Sequence, residues 1–441
     1  MALTKASVLH YWSSRYGINP RIGGRPVFTR NSAGLFTTQE GEVDTAIVNT
    51  PRFDWSVLNL PTSLTERRKV LTLELARTNG FTYSNDLTNA AWTKTQSSAL
   101  LNAMGPDSVV NSASTLTEDA TAANSHYVYH SASPITTTVA QSASGYFKAN
   151  GRSRFQFDLN CAGGDLALEV NLTAGTATPS ATGGATLLSS GIIALGGGWY
   201  RAWISGTFAA ATTTTLYLFL ENAAGATTYS GDGASGMLFY GLQHEIDKLF
   251  PTAVIPTTSP TATRATDSLY WNFPPVPQAM MVYVRFVEQG SVLGGTQCGV
   301  VNIGGGGTSA TPPLFMFFNV PGNYSAYHET SAGVVSSALA DAPTLGQTVE
   351  LIGILFADGS VQAIQSLDGA AVTSSVQSGV RALGVTWAAP KLWANQYYTI
   401  YGANKFAEVK IVKYADVVAS TAQGRMDEMR AFELGPNGDV L

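Results

Sequence analysis

Between residues 127 and 242, apolar side chains recur in runs of alternate positions, and no stretch there carries the three-to-four spacing of a helix. Tyr127 and Tyr129, then Tyr146, then Phe155, Phe157 and Leu159, then Leu166, Leu168, Val170 and Leu172 each predict a strand turning one face inward. Leu216, Leu218 and Leu220 alternate with Tyr217 and Phe219, and residues 237–242 predict a last strand after the turn Gly231-Asp232-Gly233. Gly196-Gly197-Gly198 opens another strand that begins at Trp199 and runs through Ile204. Strands at such intervals without intervening helices predict a sandwich. A second set follows. Residues 281–286, 314–318, 349–355 and 361–364 read as strands, separated in part by the turn pairs Asp358-Gly359 and Asp368-Gly369. Residues 397–401 and 408–414 supply closing strands, and 421–430 predict a short helix with Met426 and Met429 inward.

The first seventy residues read differently. Val8, Leu9, Trp12 and Tyr16 sit at helical spacing with Gly17 as a left-handed cap, which predicts one amphipathic helix over 3–16. Short extended pieces around 25–30, 34–38 and 49–53 bury little by themselves, so this segment needs something larger to dock on. Residues 63–69 read as a charged linker, and Pro, Thr and Ser make 256–266 a second linker.

Several motifs carry a resemblance. Asn49-Thr50-Pro51-Arg52-Phe53-Asp54 is followed by Leu73-Glu74-Leu75-Ala76-Arg77-Thr78-Asn79, then by Tyr83-Ser84-Asn85 and Ala90-Ala91-Trp92-Thr93-Lys94. With Gly196 to Arg201, the run Gly231 to Glu245 and the run Pro251 to Asp267, this order resembles bacteriophage virion proteins containing a carbohydrate-binding-module-like β-sandwich. The region after 264 resembles concanavalin-like and laminin-G-like domains. The resemblance implies an all-β chain: an N-terminal attachment segment (1–71), a binding-module-like sandwich (72–263) and a concanavalin or laminin-G-like jelly roll (264–441). It further implies a fibre, spike or tail-tip component that adheres to host-surface glycan. Its expected place is the virion, its partners other virion proteins through the N-terminal segment, and its state a homo-oligomer, with a trimer favoured. The alternatives are a purely structural capsid-decorating, tail or baseplate role, and a polysaccharide depolymerase.

Composition narrows the functional classes. The chain has 441 residues, enough for about three ordinary domains, and 45% are hydrophobic. Only 12% are charged, about half the usual ~25%, so the surface must draw on Ser, Thr, Asn and Gln. A net charge of −5 without a basic stripe leaves no footprint for nucleic acid. Cys161 and Cys298 fall in different expected domains and predict no disulfide framework. No apolar run approaches the ~20 residues of a membrane span, and Lys5, His10 and Arg15 interrupt any signal-like core at the N-terminus.

Catalytic signatures are missing from the sequence, and no enzyme is expected. His126 and His130 are four apart on a predicted strand, too far along one face for a shared metal. Gly304 to Gly307 lacks the Lys-Ser/Thr of a phosphate loop and reads as a flexible loop. A glycosidase needs two carboxylates roughly 5–9.5 Å apart, and Asp158, Glu169, Glu221, Glu245 and Glu350 are the acids on or beside strands. Binding suits the composition better, because sugars offer apolar ring faces and hydroxyl edges to aromatic platforms beside amides and acids. The candidates are Tyr127 and Tyr129 in the first sandwich, with Trp393, Asn395, Gln396, Tyr397 and Tyr398 in the second. Trp199 and Trp203 read as structural. No cofactor is expected; Asp232 is a weak candidate for a structural calcium, which sandwiches of the resembled family can carry.

Overall fold

A computed structural model of the chain describes residues 3, 8–13, 26–59, 65–134, 139–210, 213–246, 251–272, 279–288, 298–308, 311–320, 323–330, 333–344, 346–377, 391–394 and 403–432. Regular structure there is antiparallel β throughout, and the one α-helix among the described residues is Ala422–Ala431. The chain forms two compact units, each assembled from separated stretches. One comprises Met1–Asn31, Val48–Leu75 and Thr266–Leu441; the other comprises Ser32–Ile47 and Ala76–Ala265. A contiguous division into 1–71, 72–263 and 264–441 therefore does not describe the molecule. The reason lies in pairing: Thr65–Glu74 joins Ala403–Lys413 in one ladder, with Leu71 opposite Phe406 and Glu74 opposite Ala403. Pro26–Thr29 likewise pairs with Ser268–Asn272.

The first unit is a sandwich of an eight-stranded and a seven-stranded sheet. Met280, Val282, Val284 and Phe286 alternate along one strand and meet Phe28, Leu269, Val300, Tyr324 and Ala326 across the core. The intervening Met281 and Tyr283 lie on the opposite face with Ile352, Ile354, Ile364 and Val412, under Met426, Met429 and Phe432 of the helix region. Covering both faces explains why Met280–Glu288 and Thr348–Leu355 are buried along their whole length, with Arg285 and Glu350 paired across the two strands at 2.9 Å. Thr421 starts the helix by accepting the Gly424 amide at 3.1 Å. Lys410 closes it, donating from Nζ to the carbonyls of Met429 and Phe432 at 2.7 Å each.

The motif acids and bases of the N-terminal segment belong to this unit. Arg30 donates to Asp267 at 2.9 Å, Arg52 bonds Asp267 on its other oxygen and Glu74 at 2.8 Å, and Thr72 donates to Asp54 at 2.6 Å. The Glu74 amide also donates to Asp267. The side chains of Arg30, Arg52 and Asp267 are completely excluded from solvent. Such ions persist in low dielectric only when they are paired and hydrogen-bonded, as they are here.

Three sequence expectations change in this unit. Val8–Ser13 is a strand on the edge of Ala403–Lys413 and not a helix, because an open ladder takes a β-branched and aromatic segment whose helical spacing covers barely two turns. The charged 63–69 segment is mostly strand, paired from Thr65 with Arg52–Asn59. Gly304 to Gly307 lies within the strand Cys298–Thr308, at the point where its register with Thr311–Val320 slips.

The second unit stacks two six-stranded sheets, in the orders Thr186–Ala194, Tyr200–Thr207, Gln141–Asn150, Gly236–Ile246, Ala113–Glu118, Ser97–Ala103 and Thr176–Gly183, Gly164–Asn171, Arg154–Cys161, Thr213–Glu221, Tyr127–Pro134, Thr93–Thr95. Phe155, Phe157, Leu159, Leu166, Leu168, Val170, Leu216, Leu218 and Leu220 point between the sheets, as their alternation requires. Asn79 ties the entering chain to this core: its Nδ2 donates to the carbonyls of Leu242 and Ile255, and its Oδ1 accepts the amides of Phe81 and His244. The exit segment is partly ordered by the same strategy, since Ala262–Arg264 pairs with Arg77–Asn79. A Cβ on Gly196 would come within 2.3 Å of the Glu40 carbonyl, so the glycine turn lets the hairpin of Gly34–Thr37 and Val43–Ala46 approach. Trp199 then packs with Leu35, Val43, Tyr146, Tyr240 and Val254.

Candidate functional site

The outer face of the second six-stranded sheet gathers the aromatic residues that the core does not use. Val128 occupies the interior, as do His126 and His130, so Tyr127 and Tyr129 face outward; the inward placement predicted from their alternation is reversed. On the neighbouring strand Tyr217 and Phe219 face the same way, because Leu216, Leu218 and Leu220 have taken the core side. The antiparallel register sets Tyr127 opposite Phe219 and Tyr129 opposite Tyr217. Ring centroids are 4.7 Å apart for the first pair and 5.3 Å for the second, and Tyr217 lies nearly parallel to Phe219 at 5.7 Å. The four half-buried rings form one continuous patch.

The next strand supplies polar neighbours. Gln156 stands opposite Phe219 and Asp158 opposite Tyr217, and one strand further Glu169 and Ala167 continue the same two rows. Asn160 and Asp165 form a third row with Thr215 and Ser131, and Asn160 donates its amide to Asp165. Asp158 stands apart, because its Oδ1 is buried and has no hydrogen-bond partner among the described residues. Burial, and then the charge of Asp165, push its carboxyl up to about 7. Burial also raises Tyr217, with the other two tyrosines, Asp158 and Asp165 adding to the effect. At the strand end Glu221 is pushed up to about 7 by burial, against the pull of Arg154 at 3.4 Å.

Chemically, this face can stack flat apolar surfaces on its rings and exchange hydrogen bonds with amides, hydroxyls and carboxyls beside them. It offers no nucleophile activated by a base. Of the other acids considered, Glu245 accepts hydrogen bonds from Gln243 and twice from Thr252, while Glu350 is held by Tyr283, Arg285 and Arg430; both are structural. A cleft of about 400 Å³ is lined by Arg77, Thr78 and His244, where burial draws His244 down to about 4 and its Nε2 donates to the Gln141 amide oxygen at 2.9 Å.

The other candidates divide. Trp393 has its backbone in the strand Lys391–Ala394, opposite Tyr270 and Asn302, whereas Asn395, Gln396, Tyr397 and Tyr398 lie outside the described residues. His126 hydrogen-bonds through Nδ1 to the Gln96 carbonyl and His130 through Nε2 to Thr82, each turned inward to separate partners. Asp232 organises its own turn: Oδ1 accepts the amides of Ala234 and Ser235, Oδ2 accepts the Ser235 hydroxyl, and Arg152 lies 3.8 Å away. A cation there would have to displace those donors. Among the described residues no group of three or more His, Cys, Asp or Glu is placed to hold a metal. Tyr217, Phe219 and Gln156 were not singled out from the sequence, although the leucine alternation already placed the two rings on the face away from the core.

No protein-family model and no curated protein matches this chain. Among solved structures, an HCR/D mutant covers 40% of this chain over 44% of its own at 8% identity, with a TM-score of 0.27. Domains LG4-5 of the mouse laminin alpha1 chain cover 69% of this chain and 91% of their own, at 11% identity and a TM-score of 0.22. The LG1-3 region of the laminin alpha2 chain covers 64% and 63%, at 12% identity and 0.24. The chain thus spans less than half of the first of these and about two thirds of the third.

Proposed function

We propose that this chain is a non-catalytic adhesion protein whose ring patch of Tyr127, Tyr129, Tyr217 and Phe219 binds glycan, displayed as a fibre, spike or tail-tip component of a phage particle. The patch itself carries the first half of the reading. A sandwich has little reason to leave four adjoining rings partly exposed beside an Asp158 oxygen without a hydrogen-bond partner, unless they meet a ligand with both apolar faces and hydroxyl edges. The motif resemblance supports the second half. Weak single-site binding is multiplied by repetition, so a homotrimer on a particle suits such a patch.

Substituting Tyr129 or Tyr217 with Ala should weaken binding to host-envelope polysaccharide about tenfold each, which corresponds to about 1.4 kcal/mol, with the thermal midpoint little changed. Affinity electrophoresis with a panel of envelope glycans measures this, and unaltered binding by both variants would sink the platform reading. Release of reducing ends that disappears in Asp158→Asn would instead make the face hydrolytic. Immunogold labelling of intact particles tests the virion role, and a protein detected only outside particles would refute it.

A further inference from the structure

We propose that the ring patch prefers glycans bearing free amino groups, in their ammonium form, over the same backbones in neutral form, and rejects polyanionic glycans. This rests on the glycan-binding reading above and follows from the distribution of charge on one face. On the two strands beside the rings, the register places Asp158 next to Tyr217, Glu169 next to Gln156, and Asp165 next to Asn160. Cations do not balance them. Arg154 stands at the end of the same face, 3.4 Å from Glu221 and six residues along the strand from the Asn160–Asp165 row. Lys94 lies on the Thr93–Thr95 strand but spends its ammonium elsewhere, donating to the carbonyls of Leu87, Thr88, Asn89 and Trp92 at 2.7–3.3 Å. The two histidines of the ring strand's flank, His126 and His130, turn into the core. The outermost strand contributes Thr178, Ser180 and Thr182 to the rows.

A ligand lying across Tyr129 and Tyr217 therefore extends towards the carboxylates of Asp165 and Glu169, and in mildly acidic solution it meets Asp158 as a neutral, hydrogen-bonding carboxyl. An ammonium there gains twice, from the negative faces of the rings and from the acids beside them. A uronate in the same position meets like charge from Asp165 and Glu169, which is how a site discriminates by repulsion. Asp158 strengthens the argument geometrically, because its buried Oδ1 lacks a donor next to the ring that a ligand would cover.

Calorimetric titration of the full chain with a chitosan hexamer, a chitin hexamer and an oligogalacturonate, in mildly acidic low-salt buffer, decides the matter. The chitosan hexamer should bind at least about tenfold more tightly than the chitin hexamer, with the advantage shrinking as salt is added, and the oligogalacturonate should not bind. The chitosan-to-chitin ratio should fall several-fold in Glu169→Gln, an exposed position where folding is not at stake, and further in the Asp165→Asn, Glu169→Gln double variant. A ratio near one, a ratio unchanged in Glu169→Gln, or oligogalacturonate binding equal to that of chitin overturns the selectivity while leaving the platform standing. Failure of all three ligands overturns the selectivity, and failure of the envelope-glycan panel as well overturns both.

Discussion

Asp158 shows how one buried oxygen can link a binding face to the stability of the sandwich beneath it. Its carboxyl titrates near 3.8 in an unfolded chain and at about 7 in the folded one, through burial first and Asp165 second. Raised in the folded state, it favours folding only while protonated. Between these two values the unfolded chain has already lost its proton and the folded chain has not, so stability falls as pH rises through this window and levels off above it. With partial exposure allowed for, the loss is on the order of 1–3 kcal/mol. Asp158→Asn keeps the volume and removes the titration. The variant should match the parent near pH 4 and exceed it near pH 8 by about that amount. Urea unfolding at both ends measures it, and two curves that stay parallel would mean that the Asp158 oxygen is solvated after all. Glu221, pushed up to about 7 by the same burial, adds its own slope to parent and variant alike, so the difference between them isolates Asp158.

At the scale of elements, the helix Ala422–Ala431 depends on a lysine in a strand. Lys410 is fully buried, lies 3.3 Å from Glu408, and donates to the last carbonyls of the helix region, while Arg430 reaches back to Glu350. Lys410→Met removes the cation from beside buried Glu408 and takes the lysine donor from those carbonyls. A loss of about 3–5 kcal/mol is expected, read by denaturant titration, against less than about 1 kcal/mol if the helix were held by Met426 and Met429 alone. The same elements show what a sequence reveals. The helix was legible because its spacing is local, and the strands through Phe155, Leu166 and Leu216 were legible because one face is core and the other is not. Val8–Ser13 was misread because six residues fit either period, and only the free edge of Ala403–Lys413 decides between them. The ring patch was half legible. Tyr127 and Tyr129 were named, but a partner strand is not encoded beside them, and register alone brings Tyr217 and Phe219 across.

Taken as a whole molecule, the chain passes between its two units four times, at 31/32, 47/48, 75/76 and 265/266. The segment from Leu73 to Asn79 is one of those crossings: Leu73 and Glu74 pair in the first unit, and Arg77–Asn79 pairs in the second. An attachment segment that could be cut away at 71 or 75 is therefore not what these residues form. Removing it would strip Thr65–Glu74 from one sheet and the 34–46 hairpin from the other unit, so particle attachment must be tested by surface substitution and not by truncation. The buried ions supply a sharper test of the two-unit organisation. Asp267→Ala would leave Arg30 and Arg52 both buried, each without a carboxylate partner that it has now, at a cost of about 3–5 kcal/mol. All three residues belong to the unit that contains Met280–Glu288, whose core is distinct from that of Arg154–Cys161. Hydrogen exchange should therefore accelerate through Met280–Glu288 and Thr348–Leu355 in this variant, while Arg154–Cys161 and Thr213–Glu221 keep their protection. Equal acceleration in both sets would show that the two cores unfold as one, and the ion network would then stabilise the entire chain.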